Sequence, residues 1–147
     1  MTPVTIAGTV ARVMVWRHSW IANGPELLFV QSRRLLSEKT WEIPGGKVKW
    51  SESPNAAAVR ELEEETNLQL SEAAKLVDWK RETPFNTHWR YVVFEANRYT
   101  GLARITRPNE IKDLRWFSLT HLPPLDEHTA TLFKKFGTKL RLTRTSV

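Results

Sequence analysis

Four acidic residues lie close together near the middle of the chain: Glu61, Glu63, Glu64 and Glu65. On an α-helix, positions i, i+3 and i+4 are neighbours, so Glu61, Glu64 and Glu65 would share one face while Glu63 points elsewhere. Three converging carboxylates repel one another unless one is protonated or a cation binds, and hard ions such as Mg²⁺ take carboxylate oxygens together with substrate phosphates. The spacing alone leaves two interpretations, a divalent-metal site and a solvated acidic helix end, because charge runs are usually solvated surface.

The position of these acids is unfavourable for a helix. Helix C-termini carry partial negative charge and favour basic side chains, and acids at i and i+4, such as Glu61 and Glu65, repel each other mildly. Arg60 stands four residues before Glu64 and can pair with it, or with Glu52 in the preceding loop. Sequences tend to break local rules of this kind at functional sites.

The sequence around the acids is typical of a loop, a helix and a second loop. Ser53 followed by Pro54 is a helix start, since Ser caps free N–H groups and Pro suits the first helical position. The Ala-rich run to Glu65 favours helix, and Asn67 tolerates the left-handed conformation that ends many helices. The pattern therefore predicts a helix from Pro54 to about Glu65.

The remaining elements are predicted from branched and aromatic residues, which favour strands, and from turn residues between them. Asn-Gly-Pro chemistry between the first two predicted strands indicates a hairpin. Strands with helices placed between them indicate α/β or α+β layering. The predicted strands are residues 4–16, 27–34, 74–82, 88–99 and 113–119, and the final helix runs from about 126 to 136.

The acidic segment resembles the Nudix box, the signature of the Nudix hydrolase family. The matching residues are Gly46, Glu52, Arg60-Glu61-Leu62, Glu64-Glu65 and Leu68, in the order and at the spacing of that signature. The one departure is Asn67 where the family has Gly; Asn is the least costly substitute in left-handed geometry, so we expect a cost in stability rather than activity. A chance match at the other positions is on the order of one in a million. The segments WEIPGG (41–46) and WFSLTHLP (116–123) also look like the family's flanking segments.

The resemblance implies one Nudix domain over residues 1–147, with an α/β fold in which a mixed β-sheet is sandwiched between α-helices. It implies hydrolysis of a nucleoside diphosphate linked to another group X, with Mg²⁺ or Mn²⁺ neutralising phosphoryl charge and activating water. The implied metal ligands are Glu61, Glu64, Glu65 and the backbone carbonyl of Gly45.

The resemblance assigns further roles around those ligands. Arg60 and Glu52 would form a pair that orients the helix against the loop. The proton acceptor is left open among Glu64, Glu95 and Glu110. Cations for the phosphates are expected from Lys47 and from Arg33 or Arg34, and Ile43 stands where family members often contact the base. The alternative interpretation of Lys47 and the two arginines is surface charge without a role in binding, and that of Ile43 is a residue of the hydrophobic core.

Trp50 and the four histidines are the remaining aromatic and imidazole candidates for chemistry. Trp50, beside Lys49 in a polar loop, is the tryptophan best placed to stack on a base. The four histidines are scattered without metal-like or triad spacing, and no role is predicted for them.

The substrate stays open. A short single-domain chain resembles the MutT-like enzymes that hydrolyse nucleoside triphosphates, including damaged or modified ones, and this is the favoured prediction. Pro84, 16 residues beyond Leu68, is a weak indication of the ADP-ribose enzymes. Dinucleoside polyphosphates are a further alternative.

A rival from another class is a nucleic-acid-binding or regulatory module. The basic segment at residues 134–144 motivates it, whereas the complete set of Arg60 and the box glutamates argues against a pure binder. Removal of triphosphate from RNA 5′ ends would reconcile both features, so nucleic acid is a possible but not favoured partner. A third alternative is a structural domain with an inactive site, which predicts no stabilisation by metal.

The composition agrees with a globular domain. The chain has 147 residues, 41% of them hydrophobic, a net charge of +6 and no cysteine. The absence of cysteine excludes disulfides and thiolate sites and is compatible with a reducing cytoplasm, the expected location. No signal-peptide pattern or membrane-length apolar run is present, so no membrane association is expected. The oligomeric state, monomer or homodimer, is left open.

Overall fold

The computed structural model describes residues 5–21, 24–33, 39–83 and 87–142, apart from the side chain of Asn97. The predictions for Arg34 and Pro84 lie outside these residues. The described part contains six strands and two helices. They are β1 (Thr5–Ser19), β2 (Gly24–Ser32), β3 (Gly45–Lys47), α1 (Pro54–Thr66), β4 (Gln69–Thr83), β5 (Thr87–Thr100), β6 (Ile111–Ser118) and α2 (Glu127–Phe136).

The strands form one mixed sheet in the order β4-β5-β1-β2-β6, with the short β3 added on β1. The central pair β1 and β5 is parallel, and the other pairs are antiparallel. The predicted hairpin is present, since Trp16 of β1 pairs with Leu27 of β2. A parallel pair needs a crossover, and α1 with β4 provides it.

Each face of the sheet is covered by one helix. Alternate residues of a strand point to opposite faces, and β1 follows this rule: Val10 and Met14 face α2, whereas Ala11 and Val13 face α1. On the α2 side the core includes Leu132 and Phe133, and on the α1 side it includes Ala57, Ala58 and Leu62. The predicted α/β class, with a mixed sheet between helices, is confirmed.

Helix α1 begins and ends as its sequence predicts. The Ser53 hydroxyl accepts a hydrogen bond from the N–H of Ala56 at 3.1 Å, and Pro54 is the first helical residue. At the other end Asn67 is left-handed, with φ 67° and ψ 6°. The local chemistry therefore fixes where the acidic residues stand.

Strand lengths are the main difference from the prediction. Strand β4 begins at Gln69 instead of residue 74, and β6 begins at Ile111 instead of residue 113. The extra residues of β4 read Gln-Leu-Ser-Glu-Ala, where register shifts at Leu70/Glu72 and Glu72/Ala73 break the polar-apolar alternation expected of a strand. The three-residue β3 was not predicted, because Gly-Gly-Lys has no strand propensity of its own. Among the described residues, no helix is long and apolar enough to span a membrane.

Candidate active site

Two adjacent glycines in β3 allow close contacts, Gly45 with β1 and Gly46 with α1. Gly45 has a φ of 152°, and a Cβ there would lie 2.2 Å from the carbonyl oxygen of Ala11. At Gly46, a Cβ would lie 2.6 Å from the carboxyl group of Glu61. Both distances are shorter than a Cβ contact, so Gly45 lets β3 lie close to the β1 backbone and Gly46 lets the Glu61 carboxyl group pack directly on the β3 backbone.

The guanidinium of Arg60 holds several carboxylates at once. It donates to both oxygens of Glu52, from Nε at 2.8 Å and from Nη2 at 2.9 Å. Its Nη1 donates to Glu61 at 2.9 Å and to Glu64 at 3.2 Å. A further bond from Nη2 reaches the carbonyl oxygen of Lys47 at 3.2 Å. Arg60 therefore ties the loop before α1 to two of the three glutamates predicted to bind metal.

The predicted contact between Arg60 and Glu52 is present, and it keeps both groups charged. Hydrogen bonds from Arg60 and from the N–H of Lys49 lower the pKa of Glu52 to about 2. The bond to Glu52 in turn raises the pKa of Arg60, against a smaller opposing effect of burial. Their role in orienting the helix stays a prediction.

Glu65 lies on the same helix face but in a much drier environment. It is 6% exposed, and the N–H of Gly45 donates to its Oε2 at 3.5 Å. Burial raises the pKa of Glu65 to about 8, an effect that the nearby charge of Arg12 opposes without cancelling. A carboxyl group in this state takes up a proton unless a cation comes close to it.

The positive charge near Glu65 comes from Arg12, a buried residue of β1. Its Nη1 lies 3.5 Å from Oε1 of Glu42 and donates to the carbonyl oxygens of Ile43 and Gly45, at 3.2 and 3.3 Å. Burial alone would lower the pKa of Arg12, but the charges of Glu42 and Glu65 raise it. Arg12 therefore stays charged and holds the chain before β3 against β1.

A cavity of about 450 Å³ collects predicted site residues from four parts of the chain. We call it the carboxylate cavity. Its lining includes Arg33, Gly45, Lys47, Glu61, Glu65 and Glu110. Acidic and basic side chains thus border the same cavity, which suits an anionic substrate that binds through a divalent metal ion.

Glu64 does not line this cavity and faces the segment before β6. The Nη2 of Arg107 lies 3.3 Å from Oε1 of Glu64, and the Nη1 of Arg107 lies 3.6 Å from Oε1 of Glu110. Arg107 therefore links a glutamate of α1 to a carboxylate that borders the carboxylate cavity.

A second cavity, of about 470 Å³, shares Gly46 and Lys47 with the first. We call it the aromatic cavity, because Trp89 and Tyr91 line it. The Nζ of Lys47 lies 5.5 Å from the centroid of the Trp89 ring. The polar lining includes Arg81 and His128, whose Nη1 and Nδ1 atoms are 2.6 Å apart. A ring-shaped group and a charged group could thus occupy adjoining spaces.

The profile of the NUDIX domain matches residues 17–136, which is most of the chain. The chain belongs to the NUDIX domain family. This match confirms the resemblance drawn from residues 46–68.

Known proteins similar to this Nudix chain differ in their named substrates. A Mycobacterium tuberculosis protein provisionally named 8-oxo-dGTP diphosphatase 3 is 33% identical over 112 residues, which cover 72% of this chain and 51% of that protein. An RNA pyrophosphohydrolase of Roseobacter denitrificans is 42% identical over 82 residues, which cover 54% of this chain and 50% of that protein. The chain thus spans about half the length of these curated relatives.

The fold has a similar solved structure. A crystal structure of a MutT NUDIX hydrolase from Burkholderia pseudomallei has a TM-score of 0.72 and 27% identity, covering 93% of this chain and 98% of that one. The architecture is therefore shared over nearly the whole length of both chains.

The Nudix family implies a divalent cation, and the chemistry of the available donors fits one. Glu61, Glu65 and the carbonyl of Gly45 offer oxygen donors at the carboxylate cavity, with Glu64 close by on the same helix. Within the described part of the chain, no three acidic, His or Cys side chains are close enough to hold a metal ion. Arg60 donates to both Glu61 and Glu64 and so balances part of the negative charge that a cation would otherwise neutralise.

Two residues predicted for this Nudix site lie elsewhere. Glu95 points to the α2 face of the sheet, where Oε1 is 3.4 Å from Nη1 of Arg141, because it has the same strand parity as Tyr91 and Val93. Ile43 is fully buried in the core on that face, so its side chain offers no surface to a base. Neither side chain borders the carboxylate cavity.

Other predicted residues have simpler outcomes. Glu63 is exposed, as expected of a bystander. Trp50 is 96% exposed and lines neither cavity, which leaves base stacking by Trp50 a prediction.

Sequence reasoning missed three features of this Nudix site. Arg12 is the one charged residue in the apolar run 10–16 of β1, and a charge in such a run signals a buried partner. Nothing in the sequence near Arg107 indicated its contact with Glu64, because these two residues are remote in sequence. The aromatic cavity combines Trp89 with His128 of α2, so no single segment reveals it.

Proposed function

We propose that this Nudix domain is a divalent-metal-dependent hydrolase that splits a nucleoside diphosphate linked to X. The favoured substrate is a nucleoside triphosphate, converted with one water into a nucleoside monophosphate and pyrophosphate. The observation that supports this proposal is the pair of adjoining cavities: carboxylates and cations border one, aromatic rings border the other, and Gly46 and Lys47 border both.

The acidic cluster would hold the cation. Glu61, Glu64 and Glu65 would supply carboxylate oxygens, and the carbonyl of Gly45 keeps a second lone pair beside its bond from Arg12. When bound, Mg²⁺ or Mn²⁺ supplies Lewis-acid neutralisation of phosphoryl charge and lowers the pKa of a bound water. Arg60 and Glu52 would hold α1 in a fixed orientation relative to the preceding loop when a cation binds to the acidic cluster.

The groups around the carboxylate cavity divide into phosphate-binding and proton-accepting candidates. Lys47 and Arg33 both line it and would bind the phosphate oxygens. Glu110 lines the same cavity, which favours it over Glu95 as the acceptor of the proton from the attacking water. Glu64 remains the alternative acceptor if it is not a metal ligand.

The aromatic cavity would bind the nucleoside. Trp89 offers a ring on which a base can stack, a contact worth about 1–3 kcal/mol per base in nucleic-acid-binding proteins. Gly8 supports this role: a Cβ at Gly8 would lie 2.6 Å from the Trp89 ring, so the indole packs closely on the β1 backbone. The nucleoside would then leave its phosphates next to Lys47.

A substrate screen tests the proposal. Nucleoside triphosphates including 8-oxo-dGTP, ADP-ribose, dinucleoside polyphosphates and 5′-triphosphorylated RNA would be incubated with Mg²⁺ or Mn²⁺. Wild type would be compared with Glu64→Gln and with Glu63→Gln, the exposed neighbour on the same helix. We expect Glu64→Gln to lose at least about 100-fold in kcat/KM and Glu63→Gln to keep wild-type activity. Absence of turnover with every compound contradicts the hydrolase proposal, and equal activity of the two variants contradicts the assignment of Glu64.

A second candidate substrate is the 5′-triphosphate end of RNA. The similarity to an RNA pyrophosphohydrolase and the net charge of +6 favour it. The screen compares kcat/KM for triphosphorylated RNA with kcat/KM for the free nucleoside triphosphates. Affinity for the RNA chain should also fall steeply as the salt concentration rises. Tight binding of RNA without turnover would instead favour the regulatory module. We propose the cytoplasm, where both substrates occur, as its location.

A further inference from the structure

Asn67, the one departure from the Nudix box, makes a contact that the family's glycine could not make. Its backbone ends α1 in the left-handed conformation, with its N–H donating to the carbonyl of Glu63 at 2.9 Å. Its side-chain Nδ2 donates to the carbonyl oxygen of Leu102 at 3.1 Å. The amide of Asn67 therefore joins the end of α1 to the segment 101–110, which we call the capping segment.

The capping segment supplies what the end of α1 lacks. The last carbonyls of a helix have no partner within the helix; here the N–H of Arg104 donates to Thr66 at 2.9 Å, and the hydroxyl of Thr106 donates to the carbonyl of Glu64 at 2.6 Å. The last turn of α1 contains no basic residue, and Arg107 brings a positive charge to the side chain of Glu64. The segment thus offsets the unfavourable placement of acids at a helix C-terminus.

The segment approaches the helix end closely. Gly101 has a φ of 99°, and a Cβ there would lie 2.9 Å from the carbonyl oxygen of Asn67. Asn67 and Gly101 therefore face each other across a contact with no room for an additional side chain.

The other end of the capping segment reaches the carboxylate cavity. Arg33 donates from its backbone N–H to the carbonyl of Glu110 at 2.9 Å, and from Nε to the carbonyl of Pro108 at 2.6 Å. The segment is thus fixed by β2 at one end and by α1 at the other. Arg107 lies between these anchors, in contact with both Glu64 and Glu110.

We propose that Asn67 is a positioning residue of the active site, which acts by holding the capping segment so that Arg107 stays between Glu64 and Glu110. This inference rests on the proposed hydrolase function. Restoring glycine favours the left-handed backbone while it removes the bond to Leu102, and these effects on folding oppose each other. These two effects can cancel in folding stability, but they do not cancel in kcat, because a small misplacement of reacting groups lowers the rate strongly. Asn67 thus affects activity, contrary to the expectation from sequence.

The first test compares Asn67→Gly with Ser51→Gly by steady-state kinetics on the best substrate of the screen. Ser51 also has a left-handed backbone, with φ 66°, but it lies in the loop before α1. We expect Asn67→Gly to lower kcat by about 5- to 100-fold with KM changed less than about threefold. Ser51→Gly should keep both constants. Wild-type constants for Asn67→Gly, or an equal loss in both variants, would overturn the proposal.

Hydrogen exchange provides a readout independent of activity. In metal-free protein, the amide of Arg104 reports the contact between the capping segment and α1, because it donates to Thr66. Asn67→Gly should speed its exchange at least about tenfold while the urea midpoint of global unfolding is unchanged. Unchanged protection of Arg104 would contradict the positioning role.

A double mutant tests whether Asn67 acts through Arg107. If it does, Asn67→Gly adds little to the loss in kcat caused by Arg107→Gln, whereas independent effects would multiply. Multiplied losses would overturn the proposal. An inactive wild type contradicts the hydrolase function itself, while an active wild type whose Asn67→Gly variant stays fully active contradicts only the role of Asn67.

Discussion

Two arginines hold carboxylates around the Nudix box, and they do so in opposite environments. Arg12 is buried beside Glu42 and Glu65, whereas Arg60 is partly exposed and holds Glu52, Glu61 and Glu64. In the buried centre, desolvation outweighs the arginine and raises the pKa of Glu65 to about 8. In the exposed centre, hydrogen bonds outweigh the slight desolvation, and the pKa of Glu52 falls to about 2.

The contrast shows how one short segment, the loop before α1 together with α1, can supply carboxylates of different character. A partner arginine at the surface keeps a carboxylate ionised almost without cost, whereas a buried arginine leaves the carboxyl group able to take a proton. A cation entering the carboxylate cavity would therefore meet in Glu65 a carboxyl group that can hold a proton. We expect the two centres to respond differently to mutation, pH, metal and salt.

Removing the buried arginine should have the largest effect. Arg12→Met takes the positive charge away from beside Glu42 and Glu65, and breaking a buried pair costs about 3–5 kcal/mol. Urea unfolding would measure the loss. Adding Glu42→Leu should recover part of the stability, because it removes a buried charge as well. A loss from Arg12→Met no larger than that from Arg60→Met would contradict the comparison.

The pH dependence of metal-free stability should identify Glu65. Its pKa is raised from 4.5 in the unfolded chain to about 8 in the folded protein. Between these values the folded state binds more protons, so the free energy of unfolding falls as pH rises, by at most about 1.4 kcal/mol per pH unit.

Urea unfolding of wild type and Glu65→Gln in EDTA from pH 5 to 9 checks this slope. The advantage of Glu65→Gln should grow with pH and stop growing above about pH 8. Parallel stability curves for the two proteins would show that Glu65 ionises normally.

The exposed centre was largely predictable from sequence and the buried centre was not. Glu52, Arg60 and Glu61 occupy one loop and one helix, so spacing along the chain reports their distance in space. Arg12 meets Glu42 and Glu65 only because β1, the chain before β3 and α1 converge, and no local pattern encodes that meeting. Arg107 illustrates the same limit, since its contact with Glu64 depends on the path of the capping segment. Most helices and strands were predictable because caps, turns and strand patterns are local, whereas the mixed sheet between helices followed from the resemblance to the Nudix family.

Mg²⁺ should stabilise the protein by an intermediate amount. If the cation binds among Glu61, Glu64 and Glu65, the free energy of unfolding rises by about 2.7 kcal/mol at a concentration 100 times the Kd. Thermal unfolding with and without MgCl₂ measures it, with Glu61→Gln expected to abolish the shift and Glu63→Gln to retain it. An equal shift in both variants would place the binding outside the acidic cluster.

The smallest effect is expected at Glu52, which is partly exposed to solvent. Glu52→Gln removes the charge that pairs with Arg60, but water and neighbouring carboxylates still surround the guanidinium, so the loss should be clearly smaller than that of Arg12→Met. The loss should also shrink as KCl is raised, since the Debye length falls from about 10 Å at 0.1 M to about 3 Å at 1 M. Urea midpoints of wild type, Glu52→Gln and Arg12→Met at both salt concentrations test this difference. The deficit of Arg12→Met should persist because its charges lie beyond the reach of counterions. If salt reduces both deficits in the same proportion, burial does not distinguish the two arginines.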